Sequence, residues 1–399
     1  MVEFLTAGES HGKGLMIIVN NIPAGVEVNI EYINSKLARR QGGYGRGGRM
    51  KIETDQVEII SGIRNNKTLG SPVGFIIYNK DWENWQKVMS AEKINKNIGD
   101  MVEIKKDSKI KKIARTVTKP RPGHADLSGT IKYNHNDIRN ILERASARET
   151  AARVAVGGLM DNFLDYFNID IISHVIQLGE IKSASPDIAF DKLKSNVLHS
   201  KLGCFDSDKE EKMVKYIDDI KDRGDSLGGI IEIRTTKLPV GLGTHVQWKD
   251  RIDGLLAQAL MSIPAVKGVE IGSAFSNSGK TGSNVHDEIY YDKENGYYRK
   301  TNRAGGVEGG MTNGEPLVVR MAMKPIPTLY KPLNSVDIKS KKPFKAGVER
   351  SDVTAVTAAG VVGEAMVSFV LAQALLNKFG GDSISEIMNN YNDYIKNYK

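Results

Sequence analysis

Cysteine is nearly absent. The single Cys204 in 399 residues excludes an internal disulfide and suits a reducing compartment, the cytoplasm. Long apolar runs are scarce as well. The opening MVEFLTAGES has neither a charged n-region nor an apolar h-region, so it does not read as a secretory signal. The most apolar long stretch, 358–376, carries Glu364 and many small residues, so it reads as a buried helix and not a membrane span. The metal-ligand spacings HxxxH, HExxH and CxxC are missing. A P-loop is missing too: Ser278-Gly279-Lys280-Thr281 has Ala274 where GxxxxGK[ST] needs glycine. There is no aromatic-interleaved RNP pattern, no zinc knuckle and no internal repeat.

Charge and glycine are plentiful. The net charge is +8, which allows nucleic acid, an anionic small substrate or a lysine-rich surface. Length alone suggests two or three domains. Residues 39–49 hold five glycines and four arginines, a cationic loop whose amides and guanidinium groups can clamp a phosphate. Its GxGxxG (Gly43, Gly45, Gly48) follows a helix where a dinucleotide fold needs a strand, so that match carries little. Residues 302–314 hold five glycines and let a flat ligand approach the backbone.

Periodicity predicts strands at 15–19, 58–63, 74–78, 169–175, 230–234 and 317–323, and helices at 29–40, 209–223, 251–262 and 353–378. Ser351 or Asp352 is expected to cap the helix at 353–378, and Ser383 with Glu386 to form a capping box. DWENW at 81–85 reads as an aromatic-acidic loop, and the lysine-rich run 104–119 as a solvated excursion.

The organising stretch is 119–159. Pro120, Pro122 and Gly123 set a tight turn bearing Arg121 and His124, and apolar spacing from Ile138 to Leu159 predicts one long helix. Arg139 with Glu143 and Glu149 with Arg153 are i,i+4 pairs on that helix. Arg144 and Arg148 repel each other and have no carboxylate at i±3 or i±4. They await either a bound anion or tertiary carboxylates. His11 and His124 stand out among seven histidines because each sits in a glycine-flanked loop. The cationic set, two imidazoles and Asp352 suit a substrate carrying phosphate and carboxylates, with histidine as general acid toward the leaving phosphate.

GESHG, RRQGGYGRGGRM, RPGHAD, RASARETAARVA, GGMTNGEP, KPIPT and ERSDV occur in order over residues 8–354. In these motifs the chain resembles the chorismate synthase family. The resemblance implies a single α+β domain over 1–399, with helices sandwiched between antiparallel sheets, assembled as a homotetramer. It implies an anti-1,4 elimination of phosphate from 5-enolpyruvylshikimate 3-phosphate with reduced FMN, which lends an electron transiently. Carried over by position, His11 would protonate the departing phosphate, His124 would protonate the flavin, and Asp352 would assist deprotonation through flavin N5. Arg49, Arg121, Arg148 and Arg350 would hold the substrate. FMN would contact Arg144, Ala145, Ser146, Pro264, Ala265, Gly309, Lys324, Pro325, Ile326, Pro327, Thr328 and Arg350. Pro264 stands where other members often carry Asn, so only a backbone contact is expected there. Arg40 and Arg46 would meet NADP or the substrate phosphate. The flavin would be reduced by an external flavin reductase or by NADPH. Neither nucleic acid nor a membrane is expected as a partner. The competing readings are an RNA-binding protein using the arginine-glycine loop and a flavin-free enzyme acting on a phosphorylated sugar.

Overall fold

The computed structural model describes residues 1–47, 54–92, 101–106, 109–114, 116–294, 296–346 and 352–397, without the side chains of 104–106 and 109–114. β1 (Glu3–Ala7) and β2 (Gly14–Asn20) pair antiparallel, with Phe4 opposite Val19 and Thr6 opposite Ile17. Strict alternation in β2 turns Leu15, Ile17 and Val19 inward and Met16 and Ile18 outward. α1 (Ile30–Gln41) starts at Asn29, whose side chain accepts the Tyr32 N–H. β3 (Glu58–Ser61) and β4 (Val73–Tyr78) complete a sheet in the order β1-β2-β4-β3.

DWENW does not form a loop. It opens α2 (Trp82–Met89), where Asp81 accepts hydrogen bonds from Asn84 and from the Trp85 indole. Part of the lysine-rich run folds as a hairpin of β5 (Met101–Lys106) and β6 (Lys109–Ala114). The single long helix expected up to Leu159 is broken into α3 (Asp126–Lys132), α4 (Arg139–Leu142), a 3-10 turn at Ala147–Glu149 and α5 (Thr150–Leu164). The last break falls at Ser146, which is extended and whose hydroxyl accepts the Arg148 N–H, offering the backbone an alternative to the helical ladder.

A second sheet is built from β7 (Ile171–Leu178), β8 (Ile181–Lys182), β9 (Gly229–Lys237), β10 (Val266–Ile271) and β11 (Pro316–Met323), in the order β8-β7-β9-β11-β10, every neighbour antiparallel. α6 (Phe190–His199), α7 (Ser207–Asp222) and α8 (Ile252–Met261) flank it. α9 (Val356–Phe379) and α10 (Ile384–Lys396) end the chain, and Ser383 and Glu386 form the expected capping box. Asp352 does not cap α9. The cap position is Ala355, and Ser351 lies outside the described residues.

α5 packs on β1 and β2, α9 on β7 and β9, and α5 and α9 on each other, so a helical layer lies between the two sheets. Glycine permits that contact. A Cβ on Gly157 would stand 2.3 Å from the Ala365 Cβ, and one on Gly363 2.6 Å from Ile233. α9 is the one described helix long and apolar enough to cross a membrane, and its most apolar window is 83% buried inside the protein. Its Glu364 is fully buried, accepting from Lys36 (2.9 Å), from Arg39 through both oxygens (2.9 Å each), and from the Ser173 amide and hydroxyl. Lys36 also pairs with Asp161 at 2.9 Å. The largest apolar cluster draws on residues from Val2 to Ile387, with smaller clusters around Trp85 and around Leu193.

Candidate active site

The helix breaks place the functional side chains. Glu143, at the end of α4, turns back to the loop between β1 and β2. Its Oε2 lies 2.7 Å from His11 Nδ1 and accepts the His11 amide at 3.1 Å, while Oε1 accepts from Arg139 at 3.0 Å. The imidazole of His11 stacks on Trp85, 3.9 Å between centroids at 30°. Glu143 is 1% exposed, and its carboxyl is held below the ordinary value. Burial opposes ionisation, but the hydrogen bond and charge of His11 and then Arg139 outweigh it.

GESHG has the letters GxSxG, yet it joins two strands of a hairpin instead of leading a strand into a helix. The Ser10 hydroxyl meets Ser146 at 3.2 Å. It is not the nucleophile of an elbow.

The RPGHAD turn is closed by Asp126 at the start of α3. The carboxylate accepts the Arg121 amide and Nε at 2.9 Å each, and sits 2.5 Å from His124 Nδ1. Burial again opposes ionisation. Hydrogen bonds from His124 and Arg121 prevail and hold Asp126 well below the carboxylate range. Gly123 adopts φ 79°, a left-handed conformation that glycine takes without strain, and its carbonyl accepts Lys324 Nζ at 2.6 Å. Lys324 leaves β11 with its amide on the Ala265 carbonyl at 2.9 Å, and Ala265 itself has φ 70°. Pro327 packs against Gly123, and the Ile326 carbonyl accepts the Ser226 hydroxyl at 2.8 Å. Thus His124, Ala265 and the 324–327 segment are one neighbourhood. α3 lies on α4 where Gly129 meets Ile141, which joins the His124 turn to the helix that ends at Glu143.

The arginines divide. Arg144 donates to the Thr6 and Gly8 carbonyls at 2.9 and 3.1 Å, so in this structure it ties α4 to the end of β1. Arg148 takes the tertiary-carboxylate alternative. It donates to Asp55 at 2.5 Å and to Asn79 Oδ1 at 2.8 Å, and Asn79 in turn donates to the Glu9 and Gly12 carbonyls of the His11 loop. Arg40, 4% exposed, reaches the other Asp55 oxygen at 2.7 Å, and its buried Nε has no hydrogen-bond partner. Burial pulls the Arg40 guanidinium below its ordinary value, against Asp55 and with help from Arg148 and Arg46. Arg46 pairs with Asp352 at 2.9 Å, and the Gly47 amide donates to the same carboxylate at 2.6 Å. Two buried guanidinium groups on one carboxylate, one of them with an orphaned Nε, form a donor set suited to an anion.

Gly309 lies at the tip of the hairpin Val307–Glu308 with Met311–Thr312. It has φ 59° and open space where a Cβ would be. Arg49 and Arg350 lie outside the described residues. Two concavities in the fold lie away from both imidazoles. One is lined by Arg39, His174 and Thr357, the other by Asn29, Asn66 and Asp165. Neither contains the cationic set, so side-chain chemistry defines the site better than surface shape does. Sequence reasoning missed Asp55 and Asn79 altogether, took Trp85 only as part of an aromatic-acidic loop, and read Glu143 only as the helical partner of Arg139. Asp126 carried a signal, standing two residues after His124 in the same turn.

The chorismate synthase family profile matches residues 2–376. The chain is 55% identical over 395 residues to a chorismate synthase of Desulforamulus reducens, covering 99% of this chain and 98% of that one. It is 53% identical to one of Geobacter metallireducens, with the same coverage, and 52% to one of Aquifex aeolicus, covering 100% and 98%. A crystal structure of chorismate synthase superposes with a TM-score of 0.78 at 42% identity, covering 100% of this chain and 98% of the other. The chain belongs to the chorismate synthase family.

Proposed function

We propose that this chain converts 5-enolpyruvylshikimate 3-phosphate to chorismate and phosphate, the last common step of aromatic amino acid biosynthesis. The observation that carries the reading is a hydrogen-bonded path that runs from the His11 loop through Asn79, Arg148 and Asp55 to Arg40. Arg46, in the same cationic loop as Arg40, pairs with Asp352. Arg121 and Arg148, with Arg49 and Arg350, hold the substrate's phosphate and carboxylates. His11 gives its proton at Nε2 to the phosphate oxygen as the C–O bond breaks and its electron pair leaves with phosphate. C6 loses its hydrogen as a proton, the C–H electron pair entering the new diene, and Asp352 assists that loss. His124, with Nδ1 on Asp126, holds a proton at Nε2 for the cofactor.

The family uses reduced FMN, which supplies an electron transiently to ease C–O cleavage. The residues present fit an anionic cofactor: Arg40 has a buried, unpartnered Nε, and Gly309 leaves open space. Ala145, Ser146, Pro264, Ala265, Gly309 and 324–328 would hold it, with Arg144 and Arg350. Arg40 shares Asp55 with Arg148 of the substrate set, and Arg46 pairs with Asp352, which supports a phosphate role over one at NADP. We propose further that 1–399 is one domain, supported by a core that draws on residues from Val2 to Ile387, that four copies assemble in the cytoplasm, and that NADPH or an external reductase reduces the flavin.

Purified protein mixed anaerobically with substrate, FMN and dithionite is expected to develop chorismate absorbance. Absence of product under these conditions overturns the reading. Replacing dithionite by NADPH alone tells self-reduction from an external reductant. Light scattering gives the assembly: a monomer's mass contradicts the tetramer.

A further inference from the structure

We infer that Glu143 is a positioning residue for His11, fixing the imidazole tautomer so that Nε2 is the nitrogen offered to the substrate. The inference rests on the reading of His11 as the acid, but the geometry behind it does not.

An ionised carboxylate can only accept hydrogen bonds. Glu143 Oε2 stands 2.7 Å from His11 Nδ1, so Nδ1 carries a hydrogen whether the ring is neutral or protonated. The same oxygen accepts the His11 amide, which fixes the side chain relative to its own backbone. The ring face is held independently by Trp85. That indole is itself tied to Asp81 at 2.9 Å and has Arg139 5.4 Å over its ring. Edge and face are thus both fixed, and turning the ring over, which would put Cδ2 in the place of Nδ1, would break the carboxylate contact. No hydrogen bond to Nε2 is made among the described residues. Trp85 belongs to the aromatic-acidic segment whose purpose the sequence left open, and here it is the floor under the imidazole.

The consequence is chemical. Neutral His11 presents a bare Nε2, and only the imidazolium presents Nε2–H. The proton given to the departing phosphate therefore comes from Nε2. After the transfer the ring is neutral with its hydrogen still on Nδ1, so no rearrangement is needed before the next protonation.

Glu143→Gln tests this sharply. Arg139 and the His11 amide can both only donate, but the guanidinium is charged and the amide is not. The oxygen of the new side chain is therefore drawn to Arg139, the His11 amide loses its acceptor, and the side-chain NH2 faces Nδ1, which must then accept. The neutral tautomer is expected to reverse to Nε2–H. The readout is the long-range 1H–15N spectrum of histidine-labelled, ligand-free protein at pH 9, with the His11 signals assigned by their loss in His11→Asn. Wild type should show Nδ1–H, Glu143→Gln should show Nε2–H, and Glu143→Asp should retain Nδ1–H. Turnover should follow: kcat falls about tenfold or more in Glu143→Gln with KM changed less than about threefold, and Glu143→Asp recovers part of it. An Nε2–H tautomer in wild type, or an unchanged tautomer in a folded Glu143→Gln, overturns the inference. If Glu143→Gln does not fold, the wild-type and Glu143→Asp spectra decide alone. Wild-type turnover in His11→Ala removes the acid reading while leaving the tautomer result standing, so the two failures are distinguishable.

Discussion

His11→Ala and His124→Ala are each expected to lower kcat by about 10²–10⁴ while circular dichroism stays native. Near-normal turnover in both removes the acid assignment. Asp352→Asn should lower kcat as well, and because Asp352 does not cap α9, the thermal midpoint should move little. A fall in the midpoint with intact turnover would make it a structural anchor for Arg46 and Gly47. The turns that carry both imidazoles were legible in the sequence, because turn-forming glycines and prolines surround them. Their carboxylate partners were not. Glu143 lies 132 residues from His11, and nothing local distinguishes it from an ordinary helical pair with Arg139. Asp55 is hidden in the same way. Its partners Arg40 and Arg148 are 15 and 93 residues away, and sequence spacing carries no trace of such contacts.

At the scale of elements, helices and strands with clean periodicity were readable. β2, α1, α7, α9 and the capping box of α10 fall close to where their patterns put them. The broken helix of the organising stretch has a tertiary cause. Between Ile138 and Leu159 the apolar spacing is helical throughout, yet Ser146 breaks the path, and Glu143 and Arg144 make tertiary hydrogen bonds to the β1–β2 region. Tertiary contacts here override the local pattern. DWENW failed in the opposite direction, since Asp81 anchors a helix that its aromatic-acidic composition did not suggest. Where α5 crosses α9, Gly157→Val must displace the backbone of Ala365, because a Cβ there would already lie 2.4 Å from the Ala365 Cα. Overpacking of this kind costs about 1–3 kcal/mol or more, measured as a lower midpoint in urea. Unchanged stability would mean that the two helices are not in close contact.

Across the whole molecule, one buried ionic network joins α1, α5, β7 and α9. Glu364 stands between Lys36 and Arg39, and Asp161 shares Lys36. Burial opposes its ionisation, but Arg39 and Lys36 hold its carboxyl down to about 2 from an ordinary 4.5. A depressed carboxyl contributes stability that is present above its unfolded pKa and lost as pH falls through the folded value, here from about pH 4.5 toward 2. Full protonation removes roughly 3 kcal/mol, at about 1.4 kcal/mol per unit. Glu364→Gln should destabilise by about 3–5 kcal/mol near neutrality, since it leaves two buried cations short of a partner. The gap to wild type should narrow on acidification from pH 5 to 3 in urea titrations. A gap independent of pH contradicts an ionised Glu364. Neither imidazole takes part in these ion pairs, which tie the scaffold together.

The central claim is that imidazoles and guanidinium groups scattered over the chain gather around one anionic substrate. A crystal structure of the protein with FMN and 5-enolpyruvylshikimate 3-phosphate tests it most directly. The expected result is His11 Nε2 within about 2.6–3.2 Å of a substrate phosphate oxygen, with Arg148 and Arg121 on the anionic groups. Substrate bound instead in the concavity beside Arg39 and Thr357, with His11 Nε2 facing solvent, would contradict it.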